Sequence, residues 1–292
     1  MASLAACGGE PTAVPPPPAT LRGEIMFWSN RDNVDDLWLV GADHSPARRF
    51  ILDSVARQHP RISPDGSHIL YSGHYKGVGG LYVMTNLGAE DHAISSDTTD
   101  AEPTWSPDGQ EIAFSSYRGT GRRGIYRMGA EGSDAVRLTP ATWNSWNPEW
   151  APDGSRIAFV SDQATLLGST DLFVMNADGT GITQLTTTGL VVPARLAWSA
   201  DGRTLLYSSS VKGDPEIYAL DVATLATTRL TTAPGADWGP SWSPDGSRIA
   251  FSSGRGGTPS IYVMNADGTG AVPYTSAPDF TSDEDPDWCR LP

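Results

Sequence analysis

The chain has 292 residues, with 34 acidic against 20 basic side chains and a formal net charge of −14 at pH 7. Hydrophobic residues make up 39% and charged residues 18%, so a large core can be buried, and neither a disordered chain nor, with two cysteines, a disulfide-dense scaffold is expected. The acidic balance argues against nucleic acid as a partner, and no window reaches the ~18 uninterrupted apolar residues of a membrane helix.

In chain order, residues 1–23 read as an address and a tether. Leu4-Ala5-Ala6-Cys7 closes a small-residue run just ahead of a polar, proline-rich stretch, and it looks like the lipobox of bacterial lipoproteins. That resemblance implies a mature chain beginning at a lipidated Cys7, on a spacer from Glu10 to Thr20. Pro15 to Pro18 suit such a spacer, because polyproline II is extended and semi-rigid. A secretory signal needs a basic segment and an apolar stretch of about 7–15 residues, so an upstream start or a trimmed chain is implied. The alternative is a cytosolic protein in which Cys7 has no role. Cys289 is expected to be a free or buried thiol.

From Glu24 onward a repeat organises the chain. Gly (31), Pro (23) and Trp (10) are all common, a mixture that favours short strands between tight turns. Asp-Gly pairs preceded by Ser or Ala and then Pro or Ala begin at Asp65, Asp108, Asp153, Asp201 and Asp245, with separations of 43, 45, 48 and 44 residues. Around each pair a similar sentence recurs, as in Trp242-Ser-Pro-Asp-Gly-Ser-Arg-Ile-Ala-Phe251 and then Ile261-Tyr-Val-Met-Asn-Ala-Asp-Gly-Thr-Gly270. Each unit holds four short runs rich in β-branched and aromatic residues, and four strands per ~44 residues is the period of a propeller blade. The segment from Glu24 to Leu52 lacks a first strand, and Asp285-Pro-Asp-Trp288 supplies one, matching Glu102-Pro-Thr-Trp105. The expectation is an all-β, six-bladed propeller of four-stranded antiparallel blades, closed by pairing the C-terminal strand with the N-terminal blade. Blades are expected near residues 24–52 with 283–290, then 57–95, 101–139, 146–186, 194–231 and 238–275, within a propeller domain at 24–292.

These motifs resemble the WD40-like PD40 repeat of the TolB-type propeller family, over about nine tenths of the chain. The resemblance implies a binding or scaffolding protein of the bacterial cell envelope, periplasmic or extracytoplasmic. Members named TolB carry a separate α/β domain ahead of the propeller, whereas 23 residues precede the first expected blade here. Similar propellers also precede serine-peptidase domains, and no hydrolase is expected within this sequence, which ends at Pro292.

Motifs for chemistry are sparse. A nucleophile elbow, a phosphate-binding loop and a His-Glu-x-x-His helix are all missing from the sequence. His59 and His74 fall in one blade and suggest at most a metal pair without further ligands, so no metal site is assigned. The position three before each blade tryptophan, or its equivalent Ile62, reads His59, Glu102, Asn147, Arg195, Gly239 and Asp285. A varied, mostly polar position fits the rim of a central channel at the start of the strand nearest the axis. Trp146 and Trp238 precede it in two blades and, with Trp143, form either an aromatic surface for a partner or packing between blades.

Arg31, Lys76, Arg118, Lys212 and Arg255 fall in the loops after the second strands, either ion-paired or as a ring of cations for ligand carboxylates. The acids Asp279, Asp283, Glu284, Asp285 and Asp287 form a solvated turn or, alternatively, a Ca²⁺ site, the one cofactor the pattern admits. The reading these residues support is a monomeric, non-catalytic module, anchored by lipid at Cys7. It would present its channel mouth, at His59, Glu102, Asn147, Arg195, Asp285, Trp146 and Trp238, to an envelope protein, peptide or glycan, with no membrane contact beyond the lipid. The alternative is a polysaccharide lyase or hydrolase using His59, Glu102, Arg195 and Asp285 as its acid/base set.

Overall fold

The computed structural model describes residues 23–41, 45–53, 55–75, 77–119, 121–163 and 169–289. Cys7, the proline tether, His44 and Lys76 lie outside them. Six four-stranded antiparallel sheets make up the described chain. The first is β1 (Ile25–Ser29), β2 (Asp36–Val40) and β3 (Arg48–Arg49), joined by the last strand, β24 (Asp283–Trp288). The second and third are β4 (Ala56–Ile62), β5 (His68–Tyr75), β6 (Val78–Thr85), β7 (His92–Ala93), then β8 (Ala101–Trp105), β9 (Glu111–Ser116), β10 (Gly124–Gly129), β11 (Val136–Arg137). The fourth and fifth are β12 (Ser145–Trp150), β13 (Arg156–Ser161), β14 (Asp171–Asn176), β15 (Thr183–Gln184), then β16 (Ala197–Trp198), β17 (Thr204–Ser209), β18 (Glu216–Asp221), β19 (Thr227–Arg229). The sixth is β20 (Asp237–Trp242), β21 (Arg248–Ser253), β22 (Ser260–Asn265) and β23 (Val272–Pro273).

The first strands of neighbouring blades touch in the order β4, β8, β12, β16, β20, β24 and back to β4, which closes a ring around a central channel. Closure is made by the two ends of the chain. Ile25 stands opposite Trp288 and Ser29 opposite Asp283, and the Cys289 N–H donates to the Glu24 carbonyl at 2.9 Å. Both long edges are thereby paired, and the outermost strands are two or three residues long, too short to template another chain. Cys289 is a free thiol, fully buried against Met26, Leu37 and Ile69.

Strand alternation explains where the core sits. In β13, Ile157 and Phe159 pack towards the third blade with Ala113 and Ile125, whereas Ala158 and Val160 pack towards the fifth with Leu196 and Leu205. Each blade is therefore apolar on both faces, and the core is a series of layers between blades.

Local devices repeat with the blades. At the five repeating turns that follow the first strands, Gly66, Gly109, Gly154, Gly202 and Gly246 have a positive φ of 67° to 73°, which costs glycine little. The aspartate locks that turn: Ser243 Oγ donates to Asp245 Oδ1 at 2.6 Å and the Ser247 N–H at 3.0 Å, and these bonds hold the Asp245 carboxyl down to about 2. A second clasp ties strand four to strand three, because Thr139, Thr186, Thr231 and Thr275 each accept the N–H at the start of the neighbouring strand at 2.9 to 3.0 Å.

Two surfaces of the central channel

Five of the six first strands slip register midway, between Gln58/Arg61, Ala101/Thr104, Trp146/Glu149 and Trp238/Ser241, and, for β24, opposite Met26/Trp28. At each slip sits one of the residues singled out from the sequence: His59, Glu102, Asn147, Gly239 or Asp285, all with φ between 48° and 63°. Each is followed by a proline, Pro60, Pro103, Pro148, Pro240 or Pro286. A proline cannot donate to the ladder, and inside a strand it is confined to bulges. The expectation that this position starts the strand is therefore corrected. It is a structural bulge within the strand, whose backbone recurs while its side chain varies.

The bulge side chains form a partial belt. His59 Nδ1 lies 2.8 Å from Ser72 Oγ, and His59 Nε2 lies 3.6 Å from Asp285 Oδ2. Trp28 Nε1 donates to the same Asp285 oxygen at 3.2 Å, and the Asp285 N–H donates to Ser252 Oγ at 3.2 Å. Glu102 accepts from Ser115 Oγ at 2.7 Å and from the Asn147 N–H at 2.9 Å, with Arg123 at 3.3 Å. Serine–histidine–aspartate alignment at Ser72 is a by-product of this scheme, since Ser115 and Ser252 fasten bulges at the same register in other blades. His59, Glu102 and Asp285 remain half-buried, and Asn147 is buried. Trp238 is half-buried beside them and donates to Glu284 Oε2 at 3.3 Å. Burial, and then the neighbouring Asp285, push the Glu284 carboxyl up. Trp146, also half-buried, packs against the layer containing Val160, and Trp143 lies 5.2 Å from the Phe173 ring.

Arg195 parts from the belt. Leu196 rather than proline follows it, its φ is not left-handed, and β16 is correspondingly short. Its guanidinium turns to the far end of the first strands, where Nη2 donates to Asp287 Oδ1 at 2.5 Å and Nη1 to the Pro286 carbonyl at 2.5 Å. There it lines an axial depression of about 480 Å³ on the Asp-Gly side, built from the ends of all six first strands. Five indoles, Trp105, Trp150, Trp198, Trp242 and Trp288, surround it, with Arg61, Glu149 and Asp287 in its wall. The sequence reading singled out neither Arg61 nor Glu149, and it placed Asp287 only among the closing acids. Their signal was the residue immediately before the blade tryptophan, which reads Arg61, Thr104, Glu149, Ala197, Ser241 and Asp287.

Three of the four described loop cations are ion-paired within their own blades. Arg31 pairs with Asp283, Arg118 with Asp100, and Arg255 with Asp237, each lying over an aromatic ring of its own blade. Lys212 is exposed. The closing acids do not converge on a cation: Asp283 serves Arg31, Asp285 serves Trp28, Asp287 serves Arg195, and Asp279 is exposed. Among the described residues no group of three or more His, Cys, Asp or Glu side chains is placed to hold a metal ion.

Comparison with known proteins agrees with this architecture. A family model described as the TolB beta propeller domain, PD40, matches residues 47–191 and 191–285. The chain is 28% identical over 186 residues, 61% of its length, to a protein TolB homolog of Chlorobium luteolum, and the match spans 39% of that relative. Among solved structures, TolB from Acinetobacter baumannii superposes with a TM-score of 0.76 at 21% identity, over 93% of this chain and 68% of that one. A putative TolB from Agrobacterium tumefaciens gives 0.68 at 21% identity, over 94% of this chain and 100% of that one.

Proposed function

Because the chain belongs to the TolB β-propeller domain family, we propose that it is a non-catalytic binding or scaffolding propeller of the bacterial cell envelope. It would present the first-strand end of its channel to a protein or peptide. The observation that carries this reading is the belt of half-buried polar side chains at His59, Glu102 and Asp285, with the half-buried indole of Trp238 beside it. Donors and acceptors on rigid bulges, next to an aromatic side chain, are what a specific polar ligand surface needs. Family membership and the lipobox-like Leu4-Ala5-Ala6-Cys7 support the reading of an envelope protein, in which a monomer would be held to the membrane by lipid at Cys7.

The acid/base reading for a polysaccharide lyase or hydrolase is weaker. Arg195 is drawn to the opposite end of the strands, and Glu102 is engaged by Ser115, Asn147 and Arg123. Two experiments test the binding reading. The soluble propeller used as bait in envelope extract should capture a defined protein, and a glycan array would identify a carbohydrate ligand instead. Cys7→Ser, expressed with a complete upstream signal, should move from the membrane fraction to the soluble envelope fraction. Bait that captures no more than a blank column, together with turnover of a sugar polymer, contradicts the proposal.

A further inference from the structure

Two arginines line the axial depression on the Asp-Gly side, and both are more than nine-tenths buried, Arg61 at 5% exposure and Arg195 at 6%. Their situations differ. Arg195 is held by Asp287 and the Pro286 carbonyl. Arg61 has one side-chain hydrogen bond among the described residues, from Nη1 to the Pro60 carbonyl at 3.0 Å, and no carboxylate hydrogen bond; the Nε of each arginine is buried without an acceptor. Asp287 is already committed, since Oδ1 takes Arg195 and Oδ2 takes the Ile62 N–H at 2.9 Å. A guanidinium cannot shed its proton at ordinary pH, so a buried fork with open donors favours an incoming anion. Burial, and then the like charge of Arg195, hold the Arg61 pKa below its usual range against the opposing pull of Glu149, Asp287 and Asp285.

The surroundings narrow the class of anion. A planar fork matches a carboxylate. Glu149 in the same wall already offsets part of the positive charge, which disfavours a dianion such as phosphate or sulfate. Indoles and prolines, interspersed with Thr104, Ser241 and Ser243, offer ring and aliphatic surface to an apolar body, and about 480 Å³ lies within the range of small-molecule sites.

We infer that this depression is a receptor for a single carboxylate carried on an apolar, ring-bearing body, with Arg61 as the anchor and the blade tryptophans around the body. It lies at the other end of the channel from the bulge belt and stands independently of the partner proposed there.

The indoles supply the readout. Intrinsic fluorescence is titrated with hydrocinnamate, with its amide, and with N-acetyl-glycyl-phenylalanine, whose carboxylate is a peptide terminus. A saturable change with a Kd below about 1 mM is expected for one or both carboxylates and none for the amide. Preference for hydrocinnamate identifies a small organic acid as the ligand type, and preference for the dipeptide a chain terminus. Arg61→Gln should weaken the preferred ligand by about tenfold or more, while Lys212→Ala, in an exposed loop outside the depression, should leave it unchanged. If Arg61→Gln does not fold, Arg61→Lys, which keeps the charge without the fork, should weaken binding by a smaller factor. Equal binding of acid and amide, binding undiminished in the folded Arg61 variant, or no saturable change with either carboxylate overturns the inference.

Discussion

Arg195 of the fifth blade and Asp287 of the closing strand, 92 residues apart in sequence, meet at 2.5 Å at the axial depression and tie the fifth blade to the first past the sixth. Both side chains are largely withdrawn from water, at 6% and 13% exposure. Arg195→Met should therefore cost about 3 kcal/mol, because it strands a buried carboxylate. Adding Asp287→Asn should recover part of that loss. Urea unfolding of the two variants checks the order, and equal stability of single variant and parent would contradict it.

Ring closure makes a second prediction. Deleting residues 283–292 strips β1 of its partner and exposes a long edge. The truncated chain should lose its cooperative thermal transition or melt well below the parent, as differential scanning calorimetry would record. An unchanged melting temperature would mean that the other five blades close without the terminal strand.

Gly239 shows how the bulges constrain sequence. Its φ is 63°, and a Cβ added there would sit 3.1 Å from Asp285 Oδ1. Gly239→Val should destabilise by about 2 kcal/mol, since a β-branched residue resists the left-handed region. Gly254 has no positive φ, and a Cβ there meets nothing closer than 3.7 Å, so Gly254→Ala should be nearly neutral. Chemical denaturation of the pair measures the contrast.

Acid should act in two opposing steps. The turn aspartates Asp65 and Asp245 have folded values held down to about 2 by their serine and backbone hydrogen bonds, below the unfolded value near 4. Their contribution to stability is complete above about pH 4 and is lost as the pH falls through about 2. Asp36, Asp237 and Glu284 are shifted up by burial, so they bind protons more tightly when folded and add stability as the pH falls through their folded values. Urea midpoints should therefore hold or rise slightly on first acidification and then fall towards pH 2. Asp245→Asn, which keeps the turn but cannot titrate, should flatten the final fall; an identical slope would show that this carboxylate does not couple to folding.

The two indoles flanking the belt should separate by experiment. Trp146→Ala removes a ring packed against the layer around Val160 and should cost folding stability of about 2 to 4 kcal/mol. Trp238→Ala should leave the fold largely intact and weaken partner capture by about 1 to 3 kcal/mol. Thermal melts and capture from extract, run on both variants, distinguish these roles.

The blade count and the closing strand were legible because Asp-Gly turns and blade tryptophans report local geometry at fixed spacing. Even the missing strand could be placed, since Asp285-Pro286-Asp287-Trp288 repeats a pattern seen elsewhere in the chain. The site was less legible. His59, Glu102, Asn147 and Asp285 were found by their polarity, but the prolines after them, which set the bulge, were not weighed. Arg195 occupies the same sequence position without that proline and faces the other way, a difference that only the fold reveals. The pairing of Arg31 with Asp283 was equally hidden, because its partners lie 252 residues apart.

The central claim is that a partner docks on the bulge end of the channel. Amide hydrogen exchange of the propeller, free and bound to the protein it captures, tests this most directly. The account predicts new protection around residues 57–59, 101–102, 237–239 and 283–285, with the Asp-Gly turns at 65–66, 108–109 and 245–246 unchanged. Protection confined to those turns, with the bulge segments exchanging as in the free protein, would contradict it.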